Sequence, residues 1–265
     1  MKPSALPIFL CMILCLLTHL CQAQTWEAVN PPLNLFNGTI HATTIDASGN
    51  IYAGGTFKNS DRYNFVAKWN GSEWIEVGSG SNRLKAIGAI LALAHHGDTL
   101  YAAGTFTNGA STYYVAKWNG STWSELDKSP SLKADGFIYS LAVDKAGHVY
   151  AAGNFTDSTD SYYVAKWNGT TWSQLGTGSN ALKANRTIYA VSVDAAGQVY
   201  AGGYFTNAAG KQYVAQWNGT NWNELGTDAN GLGANDHIRS LAIDDKGNLY
   251  AGGGFRNSSG DSYVA

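Results

Sequence analysis

Apolar and polar residues alternate along short runs of this chain, and the alternation recurs at intervals of about 50 residues. Each interval contains an aromatic-rich run ending in Trp-Asn-Gly-x-x-Trp, as in 163–172. The first Trp of each copy falls at position 69, 118, 167 or 217, so the steps are 49, 49 and 50 residues. A fixed period of this size is typical of propeller blades. The pattern therefore predicts an all-β array of similar sheets.

Two hairpins make up one predicted unit. An Asp-x-x-Gly turn joins the first two strands and Asn-Gly joins the last two, because Asp bonds nearby amides and Gly adopts a positive φ. In the fourth repeat the strands are expected near 188–194, 198–205, 212–217 and 221–225. Four short antiparallel strands repeated radially describe a β-propeller blade, and five such repeats are visible.

The Asn-Gly turn predicts where the tryptophans lie. If the turn has two residues, Trp167 lies opposite Thr170 and Ala165 lies opposite Trp172. Alternating side chains then put Trp167, Ala165 and Trp172 on one face, which suits packing between sheets. We interpret the paired tryptophans as a structural blade motif, comprising Trp69, Trp74, Trp118, Trp123, Trp167, Trp172, Trp217 and Trp222.

Glycine recurs inside the second strand of each unit, as in the Tyr-Ala-Gly-Gly run at 200–203. Glycine within a strand usually marks the close approach of another surface. The side chain that packs against these glycines is expected to be an aromatic ring from the adjacent sheet.

Residues 1–23 have the pattern of a secretory signal peptide. Lys2 precedes an apolar run that is too short to span a bilayer, and Cys21-Gln-Ala23 provides an acceptable cleavage site. The three cysteines all lie in this segment, so the remaining chain, 24–265, is expected to fold without disulfides. The prediction is a secreted, extracellular or cell-surface propeller with no stable membrane insertion.

The two ends of the repeat array leave two interpretations open. Residues 25–29 match a fourth strand standing alone, and the last repeat stops at Ala265 within its third strand. In one interpretation 25–29 pairs antiparallel with 262–265 and closes a five-bladed ring. In the other the chain is truncated at its C-terminus and further blades are missing. Stopping two residues before the expected Trp favours the fragment.

Charge bears on the choice of partner. Lysine and arginine number 17 against 19 aspartates and glutamates, and both signs are interspersed along the chain. A nucleic-acid-binding domain would need a basic stripe, so no nucleic-acid partner is predicted.

Two motifs recur in the repeats, Val-Tyr-Ala-Gly-Gly-x-Phe-Thr at 199–206 and Val-Ala-x-Trp-Asn-Gly-x-x-Trp at 214–222. In these motifs the chain resembles secreted bacterial propellers of Bacteroidetes-type extracellular proteins, which are kelch-like or related to the propeller of galactose oxidase. The resemblance covers 25–265 and is specific for fold, but not for activity. Such proteins often end in a sorting domain for type IX secretion, and no similar sequence occurs here, which fits truncation.

An enzyme is not predicted. A galactose-oxidase-like copper site would need a thioether-forming cysteine, and the Asp-x-x-Gly spacing differs from that of sialidase Asp boxes. His95 and His96 would point to opposite faces of a strand, and Asp157 and Asp160 suit a polar loop better than a calcium site. We therefore predict no catalytic residue, no metal ligand and no cofactor.

The repeats differ most at the start of their first strand and in the loop before it. The strand positions are His41, Leu91, Tyr139, Tyr189 and Arg239, and the loop positions are Ile87, Asp135, Arg186 and Asp236. Variable polar and aromatic side chains on a rigid frame are typical of binding sites, although unconstrained loop surface would vary in the same way. The candidate ligand face is His41, Tyr139, Tyr189, Arg239, Asp135, Arg186 and Asp236.

Three functions remain open. The first is a non-catalytic extracellular propeller that acts as a scaffold for an unknown protein or glycan. The second is a multivalent lectin with one sugar site per blade, and the third is the propeller domain of an enzyme whose catalytic part is missing. The paired tryptophans discriminate the first two, because indoles buried between blades cannot stack on sugars.

Overall fold

Antiparallel sheets follow one another along the chain, and each is built from consecutive strands. The structure, a computed structural model, describes residues 35–126, 132–226 and 231–265. Within these ranges the helices are single 3-10 turns at Gly80–Asn82 and Gly178–Asn180. Neither has the length or the apolar composition needed to cross a membrane.

The strands group into five sheets. Sheet 1 contains β1 (Ile40–Ile45), β2 (Ile51–Lys58), β3 (Asn64–Trp69) and β4 (Trp74–Glu76). Sheet 2 contains β5 (Ile90–His96), β6 (Thr99–Gly104), β7 (Ala116–Trp118) and β8 (Trp123–Glu125). Sheet 3 contains β9 (Ile138–Val143), β10 (Val149–Gly153), β11 (Ala165–Trp167) and β12 (Trp172–Gln174). Sheet 4 contains β13 (Ile188–Val193), β14 (Val199–Gly203), β15 (Ala215–Trp217) and β16 (Trp222–Glu224), and sheet 5 contains β17 (Ile238–Ile243) and β18 (Leu249–Gly253).

The prediction of all-β, four-stranded antiparallel blades is confirmed. Sheet 5 shows two strands and the start of a third, because Ala265 exchanges backbone hydrogen bonds with Ala251 at 3.0 and 2.8 Å. The predicted pairing of 25–29 with 262–265, and the signal peptide at 1–23, involve segments outside the described residues.

The Asn-Gly connection is longer than a two-residue turn. Trp167 pairs with Trp172, and the carbonyl of Thr171 accepts from the Asn168 amide at 3.2 Å. The Asn168 side-chain oxygen accepts from the backbone amides of Thr170 and Thr171 at 2.9 and 2.8 Å, which stabilises a four-residue loop. The expected pairing of Trp167 with Thr170 is therefore wrong. Directly opposed residues still share a face, and the two indole centroids lie 5.9 Å apart.

The first strands of the sheets pack against one another in order, β1 on β5, β5 on β9, β9 on β13 and β13 on β17. Each of the last four begins with a fully buried isoleucine. A Cβ added at Gly54 would lie 2.6 Å from Cγ2 of Ile90, and one at Gly202 would lie 2.6 Å from Cγ2 of Ile238. The surface that approaches these glycines is thus an isoleucine of the next sheet, and the expectation of an aromatic ring is wrong.

A tryptophan joins each of sheets 2, 3 and 4 to the sheet before it. The indole N–H of the fourth strand donates to a main-chain oxygen of the preceding sheet, an arrangement we call the indole latch. Three latches lie within the described residues: Trp123 to Val77 at 2.9 Å, Trp172 to Leu126 at 3.1 Å and Trp222 to Leu175 at 2.8 Å. Of the blade-motif tryptophans, Trp74, Trp167 and Trp172 are at most 9% exposed, and the others are half-buried.

Candidate ligand-binding face

Five side chains, one from each sheet, line a single cavity of about 340 Å³. Each is the second residue of its sheet's first strand, and we call the space they enclose the axial cavity. The residues are His41, Leu91, Tyr139, Tyr189 and Arg239. The structure thus brings together all five variable strand positions identified in the sequence.

A β-bulge in every sheet aims these side chains. In sheet 3 the register with β10 shifts between Ile138 and Ser140, which leaves Tyr139 as the extra residue. The same shift occurs at the second residue of β1, β5, β13 and β17. A bulge interrupts pairing and redirects a side chain, so residues beside a buried isoleucine can point to the axis. The sequence pattern did not reveal these bulges.

The chemistry of the axial cavity is cationic and aromatic. The guanidinium carbon of Arg239 lies 4.9 Å from the ring centroid of Tyr189, and the rings of Tyr139 and Tyr189 are 5.4 Å apart. Burial raises the pKa of Tyr139, and the nearby Tyr189 adds to the rise while Arg239 opposes it. None of the five lining residues is a carboxylate.

Aromatic contacts extend from the cavity across sheets 4 and 5. Tyr204 stacks on His237 with ring centroids 5.4 Å apart and planes at 5°, and Tyr189 contacts both rings edge-on at 6.4 and 5.8 Å. Arg186 lies over Tyr204, with 5.8 Å from the guanidinium carbon to the ring centroid. We call the axial cavity together with Arg186, Tyr204 and His237 the axial face.

Asp236 forms hydrogen bonds with the next residue, His237, which belongs to this cluster. Its Oδ1 accepts from the backbone amide of His237 at 2.6 Å and lies 2.8 Å from the ring Nδ1 of the same residue. These hydrogen bonds, the side-chain one first, hold the pKa of Asp236 below its usual value. Across the described chain, neither Arg186 nor Arg239 forms an ion pair.

Asp135 forms its hydrogen bonds within its own sheet. Its carboxylate accepts from the backbone amide of Thr156 at 2.9 Å and lies 3.1 Å from the Thr156 hydroxyl. Asn185 contacts Thr206 in the equivalent way, so this repeat position has a framework role. Arg186 and Asp236 stand one position later, where the first three repeats have Gly38, Gly88 and Gly136. The departures from the repeat therefore concentrate on sheets 4 and 5.

No protein-family model matches the chain, and no curated protein matches its sequence. Among solved structures it is similar to "YCF48 bound to D1 peptide", with a TM-score of 0.53 and 12% identity over 88% of this chain. It is also similar to PorZ of Porphyromonas gingivalis, described as an essential bacterial surface component of the type-IX secretion system, with a TM-score of 0.51 and 14% identity over 87% of this chain. Both neighbours are β-propeller-like. The chain folds as a β-propeller.

This propeller spans 65% of the YCF48 chain and 33% of the PorZ chain. The likeness establishes the fold and leaves the kelch-like and Bacteroidetes-type parts of the resemblance as predictions. The five sheets of the structure and the repeat period of the sequence both agree with a propeller fold.

The residues that the sequence analysis considered as metal ligands form hydrogen bonds within the propeller framework. His95 Nδ1 lies 3.0 Å from the Thr44 hydroxyl, and His96 Nε2 lies 3.2 Å from the carbonyl oxygen of Lys145, so both histidines bridge neighbouring sheets. Asp157 accepts hydrogen bonds within its own loop, including those from the backbone amides of Thr159 and Ser161. In the part of the chain that the structure describes, no three His, Cys, Asp or Glu side chains are grouped to hold a metal.

Proposed function

We propose that this chain is a non-catalytic binding propeller that holds a protein partner on its axial face. The observation that carries the proposal is the convergence of five bulged residues on one cavity, at the repeat positions where the chain varies most. Concave, partly aromatic sites with a few polar groups on a rigid scaffold are typical of ligand recognition. The YCF48 neighbour is described as bound to a peptide, which supports a protein partner here.

The packing of the tryptophans in sheet 3 is unfavourable for a sugar site on that blade, and so favours a protein partner over a lectin with one sugar site per blade. Trp167 and Trp172 are 9% and 8% exposed, and the Trp172 indole N–H is already bonded to the main chain. Such indoles lack a free face on which a sugar ring could stack.

We also propose that the chain works outside the cell or at its surface. The signal-peptide pattern of 1–23 supports export, and the PorZ neighbour is described as a bacterial surface component. Secretion of the protein with residue 24 at its N-terminus, determined by N-terminal sequencing, would test this.

A side-by-side screen tests the choice of partner class. The purified protein is probed against a random peptide library and a glycan array, together with the variants Arg239→Ala and Lys246→Ala. Both variants remove one cation from sheet 5, but Lys246 lies in the turn between β17 and β18, at the other end of those strands. We expect peptide binders that are lost in Arg239→Ala and retained in Lys246→Ala. Glycan binding alone, or peptide binding that both variants retain, would reject the axial face as a protein site.

A further inference from the structure

We propose that the axial cavity binds a carboxylate of a peptide, with Arg239 as the residue that pairs with it. This inference rests on the proposed function and adds the chemical class of the bound group. Its basis is the juxtaposition of an unpaired arginine, two phenols and a histidine in one cavity without an acidic lining residue.

Arg239 is oriented but has no anionic partner. Its guanidinium lies over the Tyr189 ring at 4.9 Å, and within the described ranges it forms no ion pair. By contrast, Arg83 pairs with Asp61 and Glu76, and Arg256 donates to the carbonyl of Gly260 at 2.8 Å. Contact with the face of an aromatic ring restricts the guanidinium, which lowers the entropy lost when its N–H groups bind an anion.

The carboxylate nearest to Arg239 in sequence, Asp236, already has a partner. Its Oδ1 accepts from His237 at 2.6 Å, and the hydrogen bonds that lower its pKa come from that residue. The lining of the axial cavity therefore contributes one permanent positive charge, that of Arg239, and no negative one. An anion that enters the cavity meets this charge and the phenol side chains of Tyr139 and Tyr189.

The dimensions of the cavity fit a side chain or a chain end. A volume of about 340 Å³ is near the lower end of ligand sites, which run from about 300 to 1,000 Å³. A single guanidinium forms two parallel hydrogen bonds with a planar carboxylate, whereas phosphorylated motifs are read by clusters of arginines. Tyr204 and His237 both contact Tyr189, a lining residue, and extend the aromatic surface on which the adjoining peptide residues would lie.

The source of the carboxylate, an acidic side chain or a peptide C-terminus, is distinguished by three probes. They are fluorescent heptapeptide libraries with mixed flanking residues: one amidated with central Glu, one amidated with central Gln, and one with central Gln and a free C-terminus. Binding to the purified protein is measured by fluorescence anisotropy. We expect the central-Glu or the free-terminus library to bind at least about tenfold tighter than the amidated Gln library, because only the first two present a carboxylate that can form charge-assisted hydrogen bonds with Arg239.

Arg239→Gln should abolish this preference, and Lys246→Gln should leave it unchanged. If Arg239→Gln does not fold, Arg239→Lys serves instead, since lysine keeps the charge but loses the stacked fork and should reduce the preference several-fold. Equal binding of all three libraries, with peptide binding itself intact, would overturn the carboxylate site and leave the proposed function standing. Binding to oligogalacturonate with no binding to any peptide library would overturn both.

Discussion

A single carboxylate organises each Asp-x-x-Gly turn. In sheet 3, Oδ1 of Asp144 accepts from the backbone amides of Ala146 and His148 at 2.9 Å each, and the Tyr150 hydroxyl donates to Oδ2 at 3.0 Å. Burial raises the pKa of Asp144, but the hydrogen bonds from His148 and Tyr150 outweigh it and lower the pKa below 3.8. The ionised form is therefore stabilised in the folded protein more than in the unfolded one.

This pKa shift predicts acid sensitivity. A carboxylate with a depressed pKa contributes stability that is complete above its unfolded pKa of 3.8 and is lost as pH falls through the lower folded value. The difference in unfolding free energy between wild type and Asp144→Asn should therefore be largest near neutral pH and shrink below about pH 4. Urea denaturation at pH 7, 4 and 3 measures it. Asp245→Asn, at an exposed position, is the control, and a constant difference across pH would contradict the prediction.

At the scale of the strand, the β-bulge separates a framework residue from a binding residue. Ile138 is fully buried against the neighbouring sheet, and Tyr139, the next residue, lines the axial cavity. Both lie in a run of apolar and aromatic residues, and strict alternation would place them on opposite faces of the sheet. The bulge instead aims Tyr139 at the axis, so adjacent positions carry separate roles.

Adjacent substitutions should then have unequal costs. Ile138→Ala should destabilise the protein by about 2–5 kcal/mol, as large-to-small changes in packed cores do. Tyr139→Ala removes mainly aromatic edge contacts and should cost about 1 kcal/mol. Chemical denaturation of both variants provides the comparison. Similar losses would show that the bulged residue belongs to the core.

Parts of the candidate site were predictable because they appear as departures from a repeat. The five cavity residues could be found by aligning the repeats, since the framework positions around them barely change. The role of Asp135 could not be predicted from the sequence, because its hydrogen bond with Thr156 joins positions that are 21 residues apart. Tyr204 and His237 were not predicted, because neither lies at the variable position of a first strand. The four-residue Asn-Gly loop was missed because Asn side-chain bonding competes with the two-residue turn at the same sequence.

The two tryptophans of sheet 3 should both contribute to stability, one through packing and the other also through its indole latch. Trp167 is 9% exposed and pairs with Trp172, whose N–H reaches Leu126. Trp167→Ala should therefore cost about 3–5 kcal/mol, as truncation of large aromatic side chains in cores does. Trp172→Phe keeps most of the apolar area, leaves the Leu126 carbonyl unpaired and should cost about 1–3 kcal/mol. Thermal and urea denaturation measure both, and a loss below 1 kcal/mol for Trp167→Ala would mean that the ring is not packed as described.

For the whole molecule, stability follows from contacts between neighbouring sheets. Each first strand packs on the next one, and each described latch joins one sheet to its predecessor. Repeat proteins of this kind are described by nearest-neighbour interactions. The repeat period was sufficient to predict this order from sequence, because the described contacts between sheets join consecutive repeats of the same pattern.

Nearest-neighbour coupling predicts which double variants are additive. Trp123→Ala and Trp222→Ala lie in non-adjacent sheets, so their unfolding free-energy changes should add within about 0.5 kcal/mol. Trp167→Ala and Trp172→Ala remove two rings that are in contact, and their changes should depart from additivity by about 0.5–3 kcal/mol. Urea denaturation of the four single and two double variants tests this. Strong coupling between the distant pair would contradict a chain of local junctions.

The acceptor of the indole latch is a main-chain oxygen, supplied by Val77, Leu126 and Leu175 in turn. Since every residue carries such an oxygen, the junction does not depend on which side chain stands there. A duplicated segment of 49 or 50 residues therefore brings its own hydrogen-bond donor and acceptor for this junction. The bulged axial residue makes no part of that junction. Gene duplication can therefore lengthen or rearrange the array while point mutations at one residue per repeat change what it recognises.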